Sequence, residues 1–203
     1  MRYSIAIITG LAVVLTTALV AIAQVTEATR VENDRYAFAY TVEANSLVTY
    51  PENGDGFSAI HNPAGATKGT QPDYGMLVYG TQGHLISKKE AEALGLEPAE
   101  EQVLMPDDLG TNERLQEIVK VTNELAELKP AGNASVKMPD GTTLAVPYYK
   151  WSKSIGVKTH YALAYKVLHG DGFINVQVEG SRPFSKQIEG WVTTKLELLP
   201  LGE

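Results

Sequence analysis

The chain has 203 residues, no cysteine, and 24 acidic against 17 basic side chains, which gives a formal net charge of −7. The lack of cysteine excludes thiol catalysis, zinc–thiolate sites and iron–sulfur ligation. The acidic balance, together with the absence of any basic cluster in the sequence, argues against nucleic-acid binding and electrostatic docking on membranes.

Residues 1–23 have the pattern of a cleavable secretory signal peptide. A basic start is followed by an uncharged apolar run over residues 4–20, and Ala21 and Ala23 form an A-x-A site. Signal peptidase accepts small residues at these two positions, so we expect cleavage between Ala23 and Gln24. An uncleaved anchor is the alternative, because the apolar run approaches the length that spans a bilayer. The A-x-A site and the lack of a basic cluster after it favour cleavage, and hence a periplasmic or secreted protein without a membrane contact.

The remaining chain divides into a leader and one domain. Residues 24–34 are polar and show no period, which is typical of a flexible leader. Residues 35–203 are long enough for a single globular domain that buries its core without disulfides. In the first half the predicted strands are 36–42, 47–50, 57–60 and 74–79, separated by turn residues at 52–56 and by a loop over 61–73.

Two helices are predicted in the middle of the chain. A capping box over residues 87–90 begins a short helix that runs to Leu94 and is stopped by Gly95. An acidic loop over residues 97–108 leads into the clearest helical pattern, residues 112–128. Its apolar positions recur at spacings of three and four, and they are Leu115, Ile118, Val119, Thr122, Leu125 and Leu128.

In the second half of the chain the hydrophobic period changes to two. The predicted strands there are 135–138, 142–151, 157–167 and 173–178. Tight turns at residues 140–141 and 169–172 favour antiparallel pairing. A final amphipathic helix is predicted over residues 184–199, with Ser185 or Ser181 as its cap. We therefore expect an α+β fold, in which helices cover an antiparallel sheet.

This element order resembles that of the PsbP/Mog1-like family. The shared features are an aromatic opening strand at residues 36–40, a helix after residues 74–79, three long strands over residues 142–179 and a terminal helix after Gly180. The segments 52–56 and 77–80 are also similar to exported bacterial proteins of unassigned role. The resemblance implies an α/β/α sandwich with a binding or assembly role, and it supplies no catalytic residues. A cystatin-like or NTF2-like helix-on-sheet domain is the second choice.

The residues that most often carry catalysis or bind metals are scattered. The four histidines, His61, His84, His160 and His169, include no pair at the spacings that bring two imidazoles to one metal. The turn at residues 52–56 lacks the anchoring carboxylates of a calcium loop, and the acidic residues of 97–108 are typical of a solvated loop. No serine lies in a G-x-S-x-G elbow and no glycine run fits a phosphate loop. We therefore predict no metal, no cofactor and no catalytic residue.

An aromatic group on adjacent predicted strands is the one candidate binding surface. Its members are Tyr148, Tyr149, Trp151, Tyr161 and Tyr165. Core packing is the simpler interpretation of these residues. The alternative is a groove on the sheet that receives an apolar ligand or a segment of a partner protein, since tyrosine and tryptophan combine apolar area with a polar tip.

Two functional hypotheses follow. The first is an exported, non-enzymatic binding or assembly module for an unidentified protein or small apolar ligand. The second is a hydrolase-type enzyme with a dispersed Asp/Glu/His site that no local motif reveals. The second hypothesis requires at least two titratable groups that converge within hydrogen-bond reach in a pocket.

Overall fold

The computed structural model describes residues 19–62, 72–98, 102–106 and 128–202, and most of these residues lie in strands. The described strands are β1 (Leu19–Val25), β2 (Thr29–Asn33), β3 (Phe38–Val42), β4 (Ser46–Pro51), β5 (Gly56–His61), β6 (Tyr74–Ser87), β7 (Gln102–Pro106), β8 (Gly132–Lys137), β9 (Thr143–Ile155), β10 (Lys158–His169), β11 (Gly172–Gly180) and β12 (Leu196–Leu198). The described helices are α1 (Lys88–Ala93) and α2 (Lys186–Thr194).

All described strands belong to one sheet. Their order is β1-β4-β5-β6-β11-β10-β9-β8-β12-β3-β2, and β7 pairs with the far end of β6. Strand β9 joins the two halves of the sheet, because residues 143–148 pair with β8 whereas residues 149–155 pair with β10. The predicted antiparallel pairing is confirmed throughout, apart from a short parallel contact between β8 and β12.

The core lies between the two halves of the sheet and follows the alternation of its strands. In β11, Ile174, Val176 and Val178 are buried and the residues between them are half-buried. The largest side chains that are fully enclosed include Phe38 on β3 and Phe57 on β5. Burying a side chain of this size contributes about 1.5–3 kcal/mol to folding, and every second residue of these strands does so because successive side chains point to opposite faces.

Helix α2 closes one end of the core. Its first turn is capped by Ser185, whose hydroxyl accepts a hydrogen bond from the Ile188 N–H at 3.2 Å. The carbonyls of its last turn lack partners within the helix. One of them, the Val192 carbonyl, accepts hydrogen bonds from the hydroxyls of Tyr40 at 3.2 Å and Tyr165 at 2.9 Å. Two strands of the sheet therefore hold the C-terminal end of α2.

The expected α+β fold is wrong, because this chain is mostly β. Neither the helix-covered sandwich that the PsbP/Mog1-like resemblance implied nor the helix-on-sheet alternative describes its strand-rich sheet. Three segments that the sequence pattern assigns to leader, loop or helix are strands: residues 29–33, 102–106 and 196–198. Each has only three to five residues, which is too short for a period to emerge, and each is fixed by the strand beside it.

Several local predictions are confirmed. Ser87 and Glu90 form the capping box, with the Ser87 N–H donating to the Glu90 carboxylate at 2.8 Å. Gly95, just after α1, has the positive φ of 77° that stops a helix, and Gly141 has a φ of 82° in the turn between β8 and β9. The helix predicted over residues 112–128 lies outside the described residues, apart from Leu128 at its end.

The chain start is described from Leu19 onward. Strand β1 pairs with β4 through Gln24 and Val25, and the predicted cleavage site after Ala23 falls within β1. Cleavage itself stays a prediction. The predicted flexible leader, residues 24–34, instead contains the end of β1 and all of β2, where Val31 is buried. In the described ranges, no helix has both the length and the apolar character that a membrane crossing requires.

Candidate functional site

The five aromatic residues predicted to form a groove are divided between the two faces of the sheet. Tyr149 and Trp151 lie opposite Ala164 and Ala162 of β10, so these four residues share one face. This face points away from the core, and both aromatic side chains are half-buried there.

The other three aromatic residues lie on the core-facing side. Tyr165 is 4% exposed and is one of the two tyrosines that bind α2. Tyr161 is half-buried near the end of the same strand face, and the Tyr148 hydroxyl lies 3.4 Å from the Glu189 carboxylate of α2. Consecutive strand residues alternate in direction, so neighbours such as Tyr148 and Tyr149 cannot form one surface. The structure therefore does not bring the five aromatic residues together on one surface.

A cluster around His61 lies instead beneath α2. His61 ends β5 and is 7% exposed. Its ring stacks on Tyr74 with 4.9 Å between centroids and meets the edge of Trp191 from α2 at 5.8 Å. The Ser46 hydroxyl lies 3.3 Å from Nδ1, and the nearer Asp73 carboxylate oxygen lies 3.8 Å from Nε2.

Strand register brings these groups together. Ser46 of β4 lies directly opposite His61 of β5, and His61 lies directly opposite Tyr74 of β6. Directly opposed residues have close Cβ atoms on the same face, so three strands contribute side chains to one point. Trp191 completes the cluster from α2. No local sequence motif predicts this arrangement, since Ser46 and His61 are 15 positions apart.

The Ser46, His61 and Asp73 side chains have the residue types of a serine-hydrolase triad but not its geometry. Ser46 is only 1% exposed, so a substrate cannot reach its hydroxyl. In a triad the serine bonds one imidazole nitrogen and the carboxylate accepts from the other. Here the His61–Asp73 separation of 3.8 Å exceeds hydrogen-bond length. The cluster fixes the ends of β4, β5 and β6 against α2.

Burial lowers the pKa of His61 from its ordinary value of 6.5, against the opposing effect of the Asp73 and Glu43 carboxylates. A histidine whose pKa is lower in the folded state than in the unfolded state binds its proton more readily when unfolded. The stability due to neutral His61 is therefore complete above about pH 6.5 and is lost as the pH falls below it.

We expect the free energy of unfolding to fall by up to about 1.4 kcal/mol per pH unit below this point. Urea unfolding between about pH 7.5 and pH 5 measures the slope. In a His61→Phe variant, which keeps an aromatic ring but takes up no proton, the slope should disappear over this range. A His160→Phe variant, on the outward side of β10, is the matched control. An unchanged slope in His61→Phe would contradict the assignment.

An open basin of about 560 Å³ lies beside the C-terminal end of α2. Its walls come from β2, β3, β8 and the corner between α2 and β12. The charged and hydroxyl-bearing residues that line it are Arg30, Tyr40, Thr41, Lys137, Thr194, Lys195 and Glu197, and Ala39 and Leu196 add apolar surface. The Tyr40 hydroxyl donates to the Val192 carbonyl, so three cations, two threonine hydroxyls and one carboxylate are left to contact a polar ligand of modest size.

Glu197 organises one side of the basin. Arg30 donates to a single Glu197 oxygen from Nε at 2.9 Å and from NH2 at 2.7 Å, and Lys137 donates to the other oxygen. The Lys137 and Arg30 hydrogen bonds lower the pKa of Glu197. Arg30 also pairs with Glu32. The positions of these two cations are therefore fixed by hydrogen bonds.

Lys195 is held differently, and it links the basin to the buried cluster. Its Nζ lies 3.4 Å from the Glu43 Oε1 atom. That oxygen is buried and makes no hydrogen bond within the part of the chain that the structure describes. Glu43 in turn acts electrostatically on His61. One lysine in the basin thus offsets a carboxylate that also faces the histidine.

Sequence reasoning considered His61 alone and placed Arg30 in the leader, so it missed both parts of this site. Of the other histidines, His160 and His169 are half-buried on β10, and the His84 side chain lies outside what the structure describes. No group of three or more carboxylate and imidazole side chains in the described ranges could hold a metal ion.

Comparisons with known proteins give little further information. No family model matches the chain, and no curated protein matches it. One similar solved structure is the 1.50 Å crystal structure of a protein from Bacteroides thetaiotaomicron VPI-5482, with a TM-score of 0.47 and 12% sequence identity. The match covers 88% of this chain and 50% of that one, so the chain spans about half the length of the protein it matches.

Proposed function

We propose that this chain is an exported, non-enzymatic binding module whose ligand occupies the basin beside the C-terminal end of α2. The observation that carries the proposal is the contrast between the His61 cluster and the basin. The cluster of titratable groups at His61 is closed, whereas the basin of about 560 Å³ is open and lined by polar side chains. A ligand can enter the basin, but a substrate cannot reach the Ser46 hydroxyl.

The hydrolase alternative is disfavoured by the same geometry. General acid–base catalysis requires a base within hydrogen-bond reach of the substrate proton that it removes. His61 is enclosed by Tyr74, Trp191 and Ser46, and its Nε2 side faces Asp73. Among the described residues, each ring nitrogen therefore faces a protein side chain.

The test uses the exported protein, whose intact mass should correspond to residues 24–203. We expect a panel of small polar molecules, screened by thermal shift, to include ligands that stabilise the wild type, because binding to the folded state raises its stability. A Thr194→Trp variant, which fills the basin without changing its charge, should lose this stabilisation. Thr143→Trp, at an exposed position of β9, is the matched control and should retain it.

Two results would contradict the proposal. One is stabilisation that persists unchanged in Thr194→Trp, which would place the ligand elsewhere. The other is reproducible turnover of an ester, glycoside, phosphate or peptide substrate that disappears in a folded His61→Phe variant, which would favour the hydrolase alternative.

A further inference from the structure

We propose that the basin binds a small carboxylate ligand, and that its carboxylate replaces Glu43 as the partner of Lys195. This inference rests on the proposed function and names the ligand class for the same basin. It is carried by three properties of the basin: a surplus of hydrogen-bond donors, a difference in how its three cations are held, and the link from Lys195 through Glu43 to His61.

The charged side chains of the basin offer more donors than acceptors. An arginine has five N–H donors and a lysine has three. Among the described residues, Arg30 makes three contacts with Glu197 and Glu32, whereas Lys137 and Lys195 have one carboxylate partner each. The remaining donors surround a space in which Glu197 is the one lining carboxylate. A ligand that fits must therefore supply acceptor oxygens, and charged acceptors make the strongest such bonds.

Lys195 is the cation that a ligand can most readily recruit. Arg30 and Lys137 make aligned hydrogen bonds to Glu197, and breaking these would leave that carboxylate without its partners. The Lys195 contact with Glu43 is longer, at 3.4 Å, and no hydrogen bond forms to the Glu43 oxygen concerned among the described residues. The Lys195 side chain is 32% exposed and can turn to a ligand in the basin without breaking a hydrogen bond. Glu43 then loses its cationic partner, which favours the protonated form of His61.

Recruitment of Lys195 changes the electrostatics at His61. The groups that face His61 are Glu43, Ser46, Asp73, Tyr74 and Trp191. Of these, Glu43 and Asp73 favour the protonated ring, and Lys195 offsets the charge of Glu43 in the free protein. When a ligand carboxylate takes Lys195, the full charge of Glu43 acts on His61. Binding is therefore coupled to proton uptake, and by linkage the affinity rises as the pH falls.

The experiment is titration calorimetry of the full exported protein with galacturonate, with galactose as its uncharged analogue and sulfate as a second oxyanion. We expect galacturonate to bind and galactose to bind much more weakly. Lys195→Gln should weaken galacturonate binding about tenfold or more, since it removes a charged hydrogen bond. Lys150→Gln is the matched control, because it removes a lysine that pairs with Glu189 outside the basin. It should leave the affinity unchanged.

Proton uptake on binding distinguishes a ligand bound at Lys195 from one that is attracted to the positive charges of the basin in general. Titrations at about pH 6 in buffers of different ionisation enthalpy should show proton uptake by the wild type. His61→Phe should bind galacturonate with no such uptake. Equal weakening by Lys195→Gln and Lys150→Gln would overturn the inference, as would stronger binding of sulfate than of galacturonate. If galactose binds in the basin and galacturonate does not, the ligand class is wrong while the binding function stands. If no compound binds and the thermal-shift panel is also negative, both fail.

Discussion

Replacing Gly56 with alanine is expected to destabilise the protein by more than about 3 kcal/mol, at the upper end of the cost of overpacking. Gly56 begins β5 and lies opposite Tyr79 of β6. A Cβ atom at this position would lie 2.1 Å from the Val78 carbonyl oxygen and 2.6 Å from the Tyr79 Cα atom. Both are backbone atoms of a central strand, so no side-chain rotation can relieve the overlap. Strands β5 and β6 would have to separate where the core is closed.

Gly75→Ala is the matched control for this change. Gly75 lies on β6 opposite Ile60, in the same pair of strands, and a Cβ atom there would meet nothing within 4 Å. We expect this variant to be neutral or more stable by a few tenths of a kcal/mol, because alanine loses less backbone entropy than glycine on folding. Urea unfolding measures both. Equal stabilities for the two variants would show that β5 and β6 do not approach each other as closely as the structure indicates.

Local chemistry is the part of the fold that the sequence predicts well. The capping box at residues 87–90 and the glycines at 95 and 141 were identified because each satisfies a backbone requirement by itself. The buried positions of β11 were likewise predictable, since Ile174, Val176 and Val178 alternate with polar residues. In each case the physical cause lies within a few residues of its effect.

The class of the fold depends on contacts that the sequence does not display. Strand β12 has three residues and follows α2 after a single residue, so its apolar positions extend the helical pattern and conceal the strand. Its conformation is set by pairing with β3, more than 150 positions away. Strand β2 has one buried apolar residue, Val31, and a polar sequence otherwise. Pairing with distant strands determines that these segments are strands. Because the sequence does not display that pairing, it predicts an α+β fold.

The candidate site was not predictable for the same reason. His61, Asp73 and Glu43 are each unremarkable in sequence, and they come together because β4, β5 and β6 are neighbours in the sheet. The basin combines Arg30 with Lys195 and Glu197 from the opposite end of the chain. The members of the aromatic group do lie on adjacent strands, but strand alternation places Tyr148 and Tyr149 on opposite faces.

The hydrogen bonds that attach α2 to the sheet also position the residues of α2 that line the basin. Both Tyr40 and Tyr165 donate to the Val192 carbonyl, and Val192 itself is 1% exposed. A buried carbonyl without any partner costs about 1–3 kcal/mol, whereas one hydrogen bond contributes about 1 kcal/mol. Either tyrosine alone still satisfies the carbonyl, so the two hydroxyls should not contribute independently.

We therefore expect Tyr40→Phe and Tyr165→Phe each to cost about 1 kcal/mol, and the double variant to cost more than the sum, about 3–4 kcal/mol in total. Urea unfolding of all four proteins gives the coupling energy, and Tyr149→Phe, on the outward face of β9, controls for the loss of a tyrosine hydroxyl. The double variant should also lose binding in the basin, because the end of α2 that positions Thr194 and Lys195 is no longer held. Strict additivity would mean that the carbonyl has another partner, and that α2 is not fixed by this pair.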